Sequence, residues 1–252
     1  MTHNTEALVL RFVDYGESDR IVHLLTPDRG RVAAIAKGAR RSQKRFPGTL
    51  DIFNHLKIQL NRRSSSGMQR LEGAKLLNLF PPVRRDLGCF GLACYLIEML
   101  DRAAPEGGGA RDHERLFDFA LDALSSLVAG RVDRSLRVLY ELRALACLGF
   151  KPELDSCVRC GVPECGQLSP YFLVSEGGTL CAPCRRPQDA ATALCRGTVR
   201  MLSRSLTMPI GSLSRLSMGG KMLEEADRAI RNFQRFYLGL ELRSQQFVDR
   251  LS

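Results

Sequence analysis

Two closely spaced cysteine pairs are the residues of this chain whose types and spacing predict chemistry most directly. Cys157 and Cys160 form one C-x2-C pair, and Cys181 and Cys184 form a second pair that twenty residues separate from the first. The two intervening residues let both sulfurs of one tight turn face the same point, and two such turns supply a tetrahedron of thiolates. The sequence therefore predicts one zinc ion bound by these four residues.

A zinc ion bound in this way is expected to have a structural role. Catalytic zinc keeps an open coordination position and usually has a histidine ligand, whereas no histidine follows His113. Residues 171–180, between the two pairs, are predicted to form a small hairpin that carries the second pair, as in zinc ribbons. Arg159, Arg185 and Arg186 are expected to offset the negative charge of the four thiolates and the ion.

The remaining cysteines are expected to be unliganded. Cys165 follows Cys160 by five residues, and we interpret it as a free thiol because its spacing does not form a pair, with exchange for one of the four ligands as the alternative. The others lie among apolar residues in helical patterns and are predicted to be small buried hydrophobic residues. They are Cys89, Cys94, Cys147 and Cys195.

A run of basic residues predicts a site for a polyanion. From Arg29 to Leu50 the chain carries seven cations and no carboxylate, and the whole chain has a formal net charge of +10. Such a surplus favours nucleic acid or an anionic membrane surface as a partner. Arg11 and Arg20 are expected to extend the same patch. The candidate phosphate contacts are Lys37, Arg40, Arg41, Lys44 and Arg45, with Arg62 and Arg63 in a later loop.

Few aromatic residues accompany these cations. The chain has no Trp, and Phe46 lies among the basic residues. Base stacking is therefore expected to be limited, and binding should be electrostatic, tolerant of sequence and strongly dependent on salt. The alternative is that the basic run is a solvated loop without a ligand.

The first 80 residues alternate apolar and polar side chains in five short segments. The predicted strands are residues 7–13, 21–25, 31–36, 51–60 and 69–77. Five short strands in so few residues favour a small barrel, of which the OB-fold is the commonest five-stranded type. An SH3-like barrel is the alternative, because periodicity does not distinguish the two.

After Pro81 the apolar spacing changes to the helical period of 3.6 residues. The predicted fold class is therefore α+β and multidomain, with an N-terminal OB-fold barrel and a C-terminal helical bundle into which a four-cysteine zinc module is inserted. The predicted domains are residues 1–80 for the nucleic-acid-binding barrel, 81–150 for the first part of the helical domain, 151–188 for the zinc-binding insert and 189–252 for the second part of the helical domain.

The motifs of common enzyme classes are missing from the sequence. Gly219-Gly-Lys221 lacks the following Ser or Thr of a phosphate-binding loop, and no G-x-S-x-G nucleophile turn occurs. A binding protein is therefore expected, with a cytosolic enzyme containing structural zinc as an alternative. No signal peptide and no apolar run of about 20 residues is recognised, so we expect a cytoplasmic protein.

These features together resemble the RecO family of bacterial recombination mediator and DNA repair proteins, over essentially the whole chain. The resemblance rests on Glu6-Ala-Leu-Val-Leu-Arg11, on Tyr15-Gly-Glu-Ser-Asp19, on Lys37-Gly-Ala-Arg-Arg41, on the cysteine insert within helices, and on Leu240-Glu-Leu-Arg-Ser244 and Phe247-Val-Asp-Arg-Leu251. The order of these segments is more specific than any one of them.

The resemblance implies a non-enzymatic protein that binds single- and double-stranded DNA and anneals complementary strands. It implies that Lys37, Arg40 and Arg41 contact DNA, that RecR is a partner, and that the two proteins load RecA onto strands coated with single-strand-binding protein. A basic-rimmed apolar groove in the helical domain would hold that protein's acidic, hydrophobic tail. Arg131, Arg134 and Arg137 are candidates for its rim, with a solvated surface position as the alternative. An RNA-binding zinc-ribbon protein is the alternative function.

Overall fold

The chain forms two compact units, the first comprising residues 1–129 and the second residues 130–252. This computed structural model describes residues 2–42, 44–61, 68–106, 110–128, 131–163, 170–239 and 241–251. The first unit contains the N-terminal strands with three helices. The second contains the other helices and the cysteine pairs.

Five strands of the first unit close into a barrel. They are β1 (Thr2–Tyr15), β2 (Asp19–Thr26), β3 (Gly30–Ala36), β4 (His55–Asn61) and β5 (Gln69–Asn78). The strand order is β1-β2-β3-β5-β4, and β4 pairs with β1 to close the ring. The β3–β5 pair is parallel and the other pairs are antiparallel. These findings confirm the five predicted strands.

The alternating side chains of the strands form the barrel core. Val32, Ala34 and Ala36 of β3 are buried, as are Leu56, Ile58 and Leu60 of β4. Successive residues of a strand point to opposite faces, so each strand places one set of apolar side chains inside. The β4 strand begins later than predicted because Phe53 adopts a left-handed φ of 67°, which turns the chain. Phe53 is fully buried.

Three helices belong to the same unit as the barrel. They are α1 (Pro81–Arg85), α2 (Leu87–Ala103) and α3 (Ala110–Ser126). The α2 helix packs against β1, and α3 packs against β2 and β3. Gly30 permits this close approach, since a Cβ there would lie 2.6 Å from Nδ1 of His113. The sequence-based division assigned these helices to residues 81–150 of the helical domain, because periodicity identifies an apolar face without identifying what covers it.

Ion pairs hold α2 on the barrel. Asp101 near the end of α2 accepts a hydrogen bond from Nε of Arg11 at 2.5 Å and lies 3.4 Å from Nδ1 of His23. Arg31 donates to the carbonyl oxygen of Asp101 at 2.7 Å and pairs with Glu106 at 2.7 Å. Arg11 and Arg31 therefore help to hold α2 on the barrel, and an extension of the basic patch by Arg11, which is 48% exposed, stays a prediction.

The second unit is built from four helices around the cysteine insert. The helices are α4 (Arg134–Cys147), α5 (Arg196–Thr207), α6 (Gly220–Leu238) and α7 (Gln245–Leu251), and the strands of the insert are β6 (Tyr171–Leu173), β7 (Gly178–Leu180) and β8 (Thr192–Ala193). The α4, α5 and α6 helices pack on one another. The α5 helix begins at Arg196 and not near residue 190, because β8 pairs with β6 there. Among the described residues, no helix has the length and apolar character that crossing a membrane requires.

A buried ionic network joins α4, α6 and α7. Arg137 is fully buried and contacts Glu141, Asp227 and Asp249. Arg134 pairs with Asp227 at 2.6 Å. Arg137 therefore does not line the rim of a binding groove as predicted, because its guanidinium group is buried and bound to carboxylates. Arg131 and Arg134 are exposed, and their place on a rim stays a prediction.

Candidate metal centre and nucleic-acid interface

The four predicted cysteines converge on one point. The sulfurs of Cys157, Cys160, Cys181 and Cys184 all lie within 4.8 Å of one another. The sulfurs of Cys160 and Cys181 are 3.7 Å apart. A regular tetrahedron of sulfurs at about 2.3 Å from zinc has edges of about 3.8 Å. The donor set and its spacing therefore fit a tetrahedral four-thiolate metal site.

Two tight turns and a hairpin position these sulfurs. In the first turn the N–H of Gly161 donates to the carbonyl oxygen of Cys157 at 2.8 Å, and Gly161 has a φ of 71° that favours glycine. In the second turn the N–H of Cys184 donates to the carbonyl oxygen of Cys181 at 3.1 Å, within the 3-10 turn Ala182–Cys184. The antiparallel strands β6 and β7 form the predicted hairpin, and Cys181 directly follows β7.

Backbone and thiol hydrogen bonds prepare the cluster for a cation. Burial disfavours the thiolate of Cys157, but N–H groups of Cys181, Cys160 and Arg159 point at its sulfur and lower its pKa to about 6. Hydrogen bonds with the thiols of Cys181 and Cys160 raise the pKa of Cys184 to about 12. A divalent metal ion displaces thiol protons when it binds, because the thiolate is the ligand.

Arg159 has a different role from the one predicted. Its guanidinium group donates to Glu176 at 2.6 Å, to Asp189 at 2.7 Å and to the carbonyl oxygen of Cys184 at 2.7 Å. Its charge is therefore balanced by two carboxylates and not by the cysteine sulfurs. The contacts tie the hairpin to the second turn, which stabilises the arrangement of ligands.

The other cysteines differ from one another in environment. Burial is the main cause that raises the pKa of Cys89 to about 12 and that of Cys94 to about 11. Cys89 is buried as predicted, whereas Cys94 and Cys147 are only partly buried. Cys195 is not a simple hydrophobic residue, because its sulfur accepts a hydrogen bond from the N–H of Thr198 at 3.4 Å and caps α5. Cys165 lies outside the described residues.

The basic loop, defined as residues 37–42 with Lys44 and Arg45, lies beside the turn between β1 and β2. Three acids in that turn or in the strand ends beside it, here called the acids of the β1–β2 turn, each face a predicted phosphate contact. The pairs are Lys37 with Asp19 at 2.7 Å, Arg40 with Asp14 at 3.6 Å and Arg41 with Glu17 at 3.9 Å. The basic run contains no acid of its own, so its counter-ions come from another part of the chain.

The end of the basic loop is less neutralised. Lys44 is exposed and has no ion pair with any residue that the structure describes. Arg45 donates to the carbonyl oxygen of Lys37 at 2.6 Å, which leaves its charge uncompensated. Phe46 is 4% exposed and belongs to the barrel core, so it is not available for stacking. Arg62 and Arg63 lie outside the described residues.

A cavity of about 510 Å³ opens beside the basic loop. Arg20 and Arg40 line it together with Asp14 and Asp51. Arg20 pairs with Asp14 at 2.9 Å, and its guanidinium carbon lies 3.9 Å from the centre of the Phe12 ring. The structure thus brings Arg20 into the basic surface.

Tyr15 is a residue of this surface that the sequence reasoning missed. It ends β1 and is 55% exposed, so its ring is accessible for stacking. The feature of the sequence that could have identified it is an aromatic residue directly before Gly16 of a predicted turn.

The second unit has a separate groove of about 410 Å³ between α5 and the cysteine insert. Leu154, Val199 and two prolines form its apolar part. Arg196, Arg200 and Arg204 recur at every fourth position of α5 and also line it. Asp155 lines the groove as well, so the groove combines apolar surface with three arginines of one helix face and one carboxylate.

Comparison with known proteins settles the family. The family model described as Recombination protein O N terminal matches residues 1–80, and the model described as Recombination protein O C terminal matches residues 84–246. The chain belongs to the RecO family. A relative named DNA repair protein RecO from Anaeromyxobacter sp. (strain K) is 35% identical over 244 residues, which cover 97% of this chain and 94% of the relative.

Further relatives of the same name also match most of the chain. The protein from Syntrophus aciditrophicus is 31% identical over 252 residues, covering 99% of this chain and 96% of the relative. The protein from Geobacter metallireducens is 40% identical over 182 residues, covering 72% of each chain. Membership of this DNA repair family agrees with the resemblance that the sequence motifs carry.

Proposed function

We propose that the protein is a recombination mediator in DNA repair that binds single- and double-stranded DNA and catalyses no reaction. The observation that carries this proposal is the basic loop, where Lys37, Arg40, Arg41, Lys44 and Arg45 lie together at one edge of the barrel. The parallel β3–β5 closure supports an OB-fold, and loops between OB-fold strands are common sites for nucleic acid. The zinc ion in the four-cysteine site is structural.

The acids beside the basic loop do not prevent binding. The loop and Arg20 contribute six cations, against three acids of the β1–β2 turn and the nearby Asp51, so positive charge remains in excess. Exposed ion pairs contribute only about 0–1 kcal/mol each. A DNA strand offers many phosphates at once and releases condensed counterions when it binds, so it can replace these pairs.

The same surface accounts for strand annealing. Complementary strands repel each other as polyanions, and a basic protein that screens both of them removes that barrier without chemistry. With RecR, the protein would then help to load RecA onto single strands coated with single-strand-binding protein, in the cytoplasm at the nucleoid.

Charge reversal of the basic loop tests the proposal. In the Arg40→Glu, Arg41→Glu variant, affinity for a single-stranded oligonucleotide should fall by about 10- to 100-fold, because two charge-assisted phosphate contacts are lost. The slope of log affinity against log salt should decrease by about 0.7 for each lost contact. Fluorescence anisotropy with labelled DNA at several salt concentrations measures both quantities.

A variant with the same change in net charge is the control. Arg111 and Arg115 are exposed on α3, and their replacement by glutamate should leave DNA affinity much closer to that of the parent. Equal losses in both variants, or no loss in either, would contradict a DNA site at the basic loop. Strong preference for RNA over DNA of matched sequence would favour an RNA-binding zinc-ribbon protein instead.

We infer that the groove beside α5 binds the acidic, hydrophobic tail of single-strand-binding protein. Its apolar floor suits a hydrophobic side chain, and Arg204 is placed to meet a carboxylate. The Arg204→Glu variant should bind a peptide of that tail about tenfold more weakly, as measured by calorimetry, and should bind free DNA normally. Arg228→Glu, an exposed change on α6, is the control, and equal peptide binding by both variants would contradict this assignment.

A further inference from the structure

The three acids of the β1–β2 turn have two different environments. Asp19 is largely shielded, at 16% side-chain exposure, and accepts hydrogen bonds from Nζ of Lys37 and from the N–H of Gly38 at 2.7 and 2.8 Å. These two donors lower the pKa of Asp19. Asp14 and Glu17 are 44% and 94% exposed. Asp19 is therefore part of the loop structure, whereas the other two are accessible from solvent.

The exposed acids lie where DNA phosphates would bind. Asp14 pairs with Nε of Arg20 at 2.9 Å and with Nε of Arg40 at 3.6 Å. Glu17 lies 3.9 Å from Arg41. Carboxylate and phosphate oxygens compete for the same guanidinium donors, because both are anionic acceptors of similar geometry. These arginines cannot contact both partners fully at the same time.

We propose that Asp14 and Glu17 are intramolecular competitors of DNA, which occupy the arginines of the basic surface until phosphates displace them. This inference rests on the proposed function, and it adds to the same site two carboxylates that oppose DNA binding. Each displaced carboxylate takes up a cation from solution, so the net cation release on DNA binding is smaller than the number of phosphate contacts. Affinity is thereby lowered, and bound strands exchange more readily.

The basic loop keeps its position without these two carboxylates. The N–H of Arg40 donates to the carbonyl oxygen of Ser18 at 3.0 Å, and its guanidinium group donates to the carbonyl oxygen of Glu17 at 3.3 Å. The contacts of Asp19 with Lys37 and Gly38 also remain. Neutralising the side chains of Asp14 and Glu17 therefore frees charge and preserves the backbone that presents it.

The test is the Asp14→Asn, Glu17→Gln variant in a titration of a labelled single-stranded oligonucleotide. Affinity near physiological salt should rise about 3- to 10-fold, and the salt slope should steepen by up to about 0.7 for each neutralised acid. Stopped-flow measurements should show slower dissociation of the strand. The thermal melting of the variant should match that of the parent.

The control makes the same change in net charge elsewhere in the first unit. Glu114 and Asp118 are exposed on α3, and the Glu114→Gln, Asp118→Asn variant should show a much smaller gain in affinity. The gain from neutralising Asp14 and Glu17 should also shrink in an Arg40→Gln, Arg41→Gln background, since the paired arginines are then gone.

Equal gains in the test and control variants would overturn the inference, because general electrostatics would then explain them. An unchanged affinity and salt slope would also overturn it. Failure of the proposed function gives a different result: the parent protein would bind DNA without salt dependence, and the Arg40→Glu, Arg41→Glu variant would bind as the parent does.

Discussion

Replacing Cys157 with serine is expected to abolish metal binding and to destabilise the second unit strongly. A hydroxyl group does not replace a thiolate in a four-sulfur site, so the tetrahedron loses one corner. Structural zinc contributes about 10–16 kcal/mol to the folding of isolated zinc-finger peptides. A typical domain is stable by only about 5–15 kcal/mol, so the loss of even part of the metal contribution should be large.

The packing of the cysteine insert explains why the metal matters there. Its small core consists of Leu173 and Leu180 with two of the metal ligands, Cys157 and Cys181. Without the ion, few apolar side chains remain to hold the turns and the hairpin together. Metal analysis should find about one zinc per chain in the parent and much less in the variant, and calorimetry should show a lower or broadened melting transition. A strong chelator should reproduce the change in the parent.

Cys195→Ser is the matched control for this experiment. It also removes a thiol from the second unit, but serine is a good N-cap residue, so the hydrogen bond to the N–H of Thr198 can be kept. Zinc content and melting temperature should stay near the values of the parent. A Cys157→Ser protein that retains both the zinc and the parent's melting temperature would contradict the metal site.

Replacing Asp227 with asparagine is expected to cost about 3–5 kcal/mol of unfolding free energy, because it breaks a buried ion pair on one side. Asp227 contacts Arg137, Arg134 and Arg231, the last at 3.1 Å. Arg137 is fully buried, and its charge would keep only Glu141 and the more distant Asp249 as partners. Urea unfolding at neutral pH measures the loss.

An exposed acid on the same helix is the control for this variant. Glu224 lies on α6 and is exposed, so Glu224→Gln should change the unfolding free energy by at most about 0.5 kcal/mol. A similar stability of the Asp227→Asn and Glu224→Gln variants would show that the buried network contributes little.

The same network predicts how the effect of Asp227→Asn depends on pH. Burial opposes ionisation of Asp227, but the hydrogen bond from Arg134 and the charge of Arg137 prevail and lower its pKa below the ordinary 3.8. Because the pKa of Asp227 is lower in the folded state, ionisation of this carboxylate adds to the free energy of unfolding. This stabilisation is fully present above pH 3.8 and is lost as the pH falls through the pKa of the folded state. The stability difference between the parent and the variant should therefore narrow below that pH.

Local patterns predicted the elements and the clustering of the four cysteines because the physical causes of both are local. The spacing of Cys157 and Cys160 already determines that one turn can direct both sulfurs to one point. Alternation of apolar residues in β3 and β4 likewise determines which side chains enter a core. Element boundaries were predicted less accurately than the elements themselves. The α5 helix begins at Arg196 and not near residue 190, because the residues of β8 just before it pair with β6.

The sequence by itself determined that this protein has four cysteines spaced to hold a metal ion, a surplus of clustered cations and the order of segments of the RecO family. Only the tertiary structure decided which of those cations are available. Asp14 and Asp19 come next to Arg40 and Lys37 because β1, β2 and β3 are neighbours in the barrel, and Arg137 is buried because α4 and α6 pack together. Charge is a property of the residue, but its partners are set by contacts between segments distant in sequence.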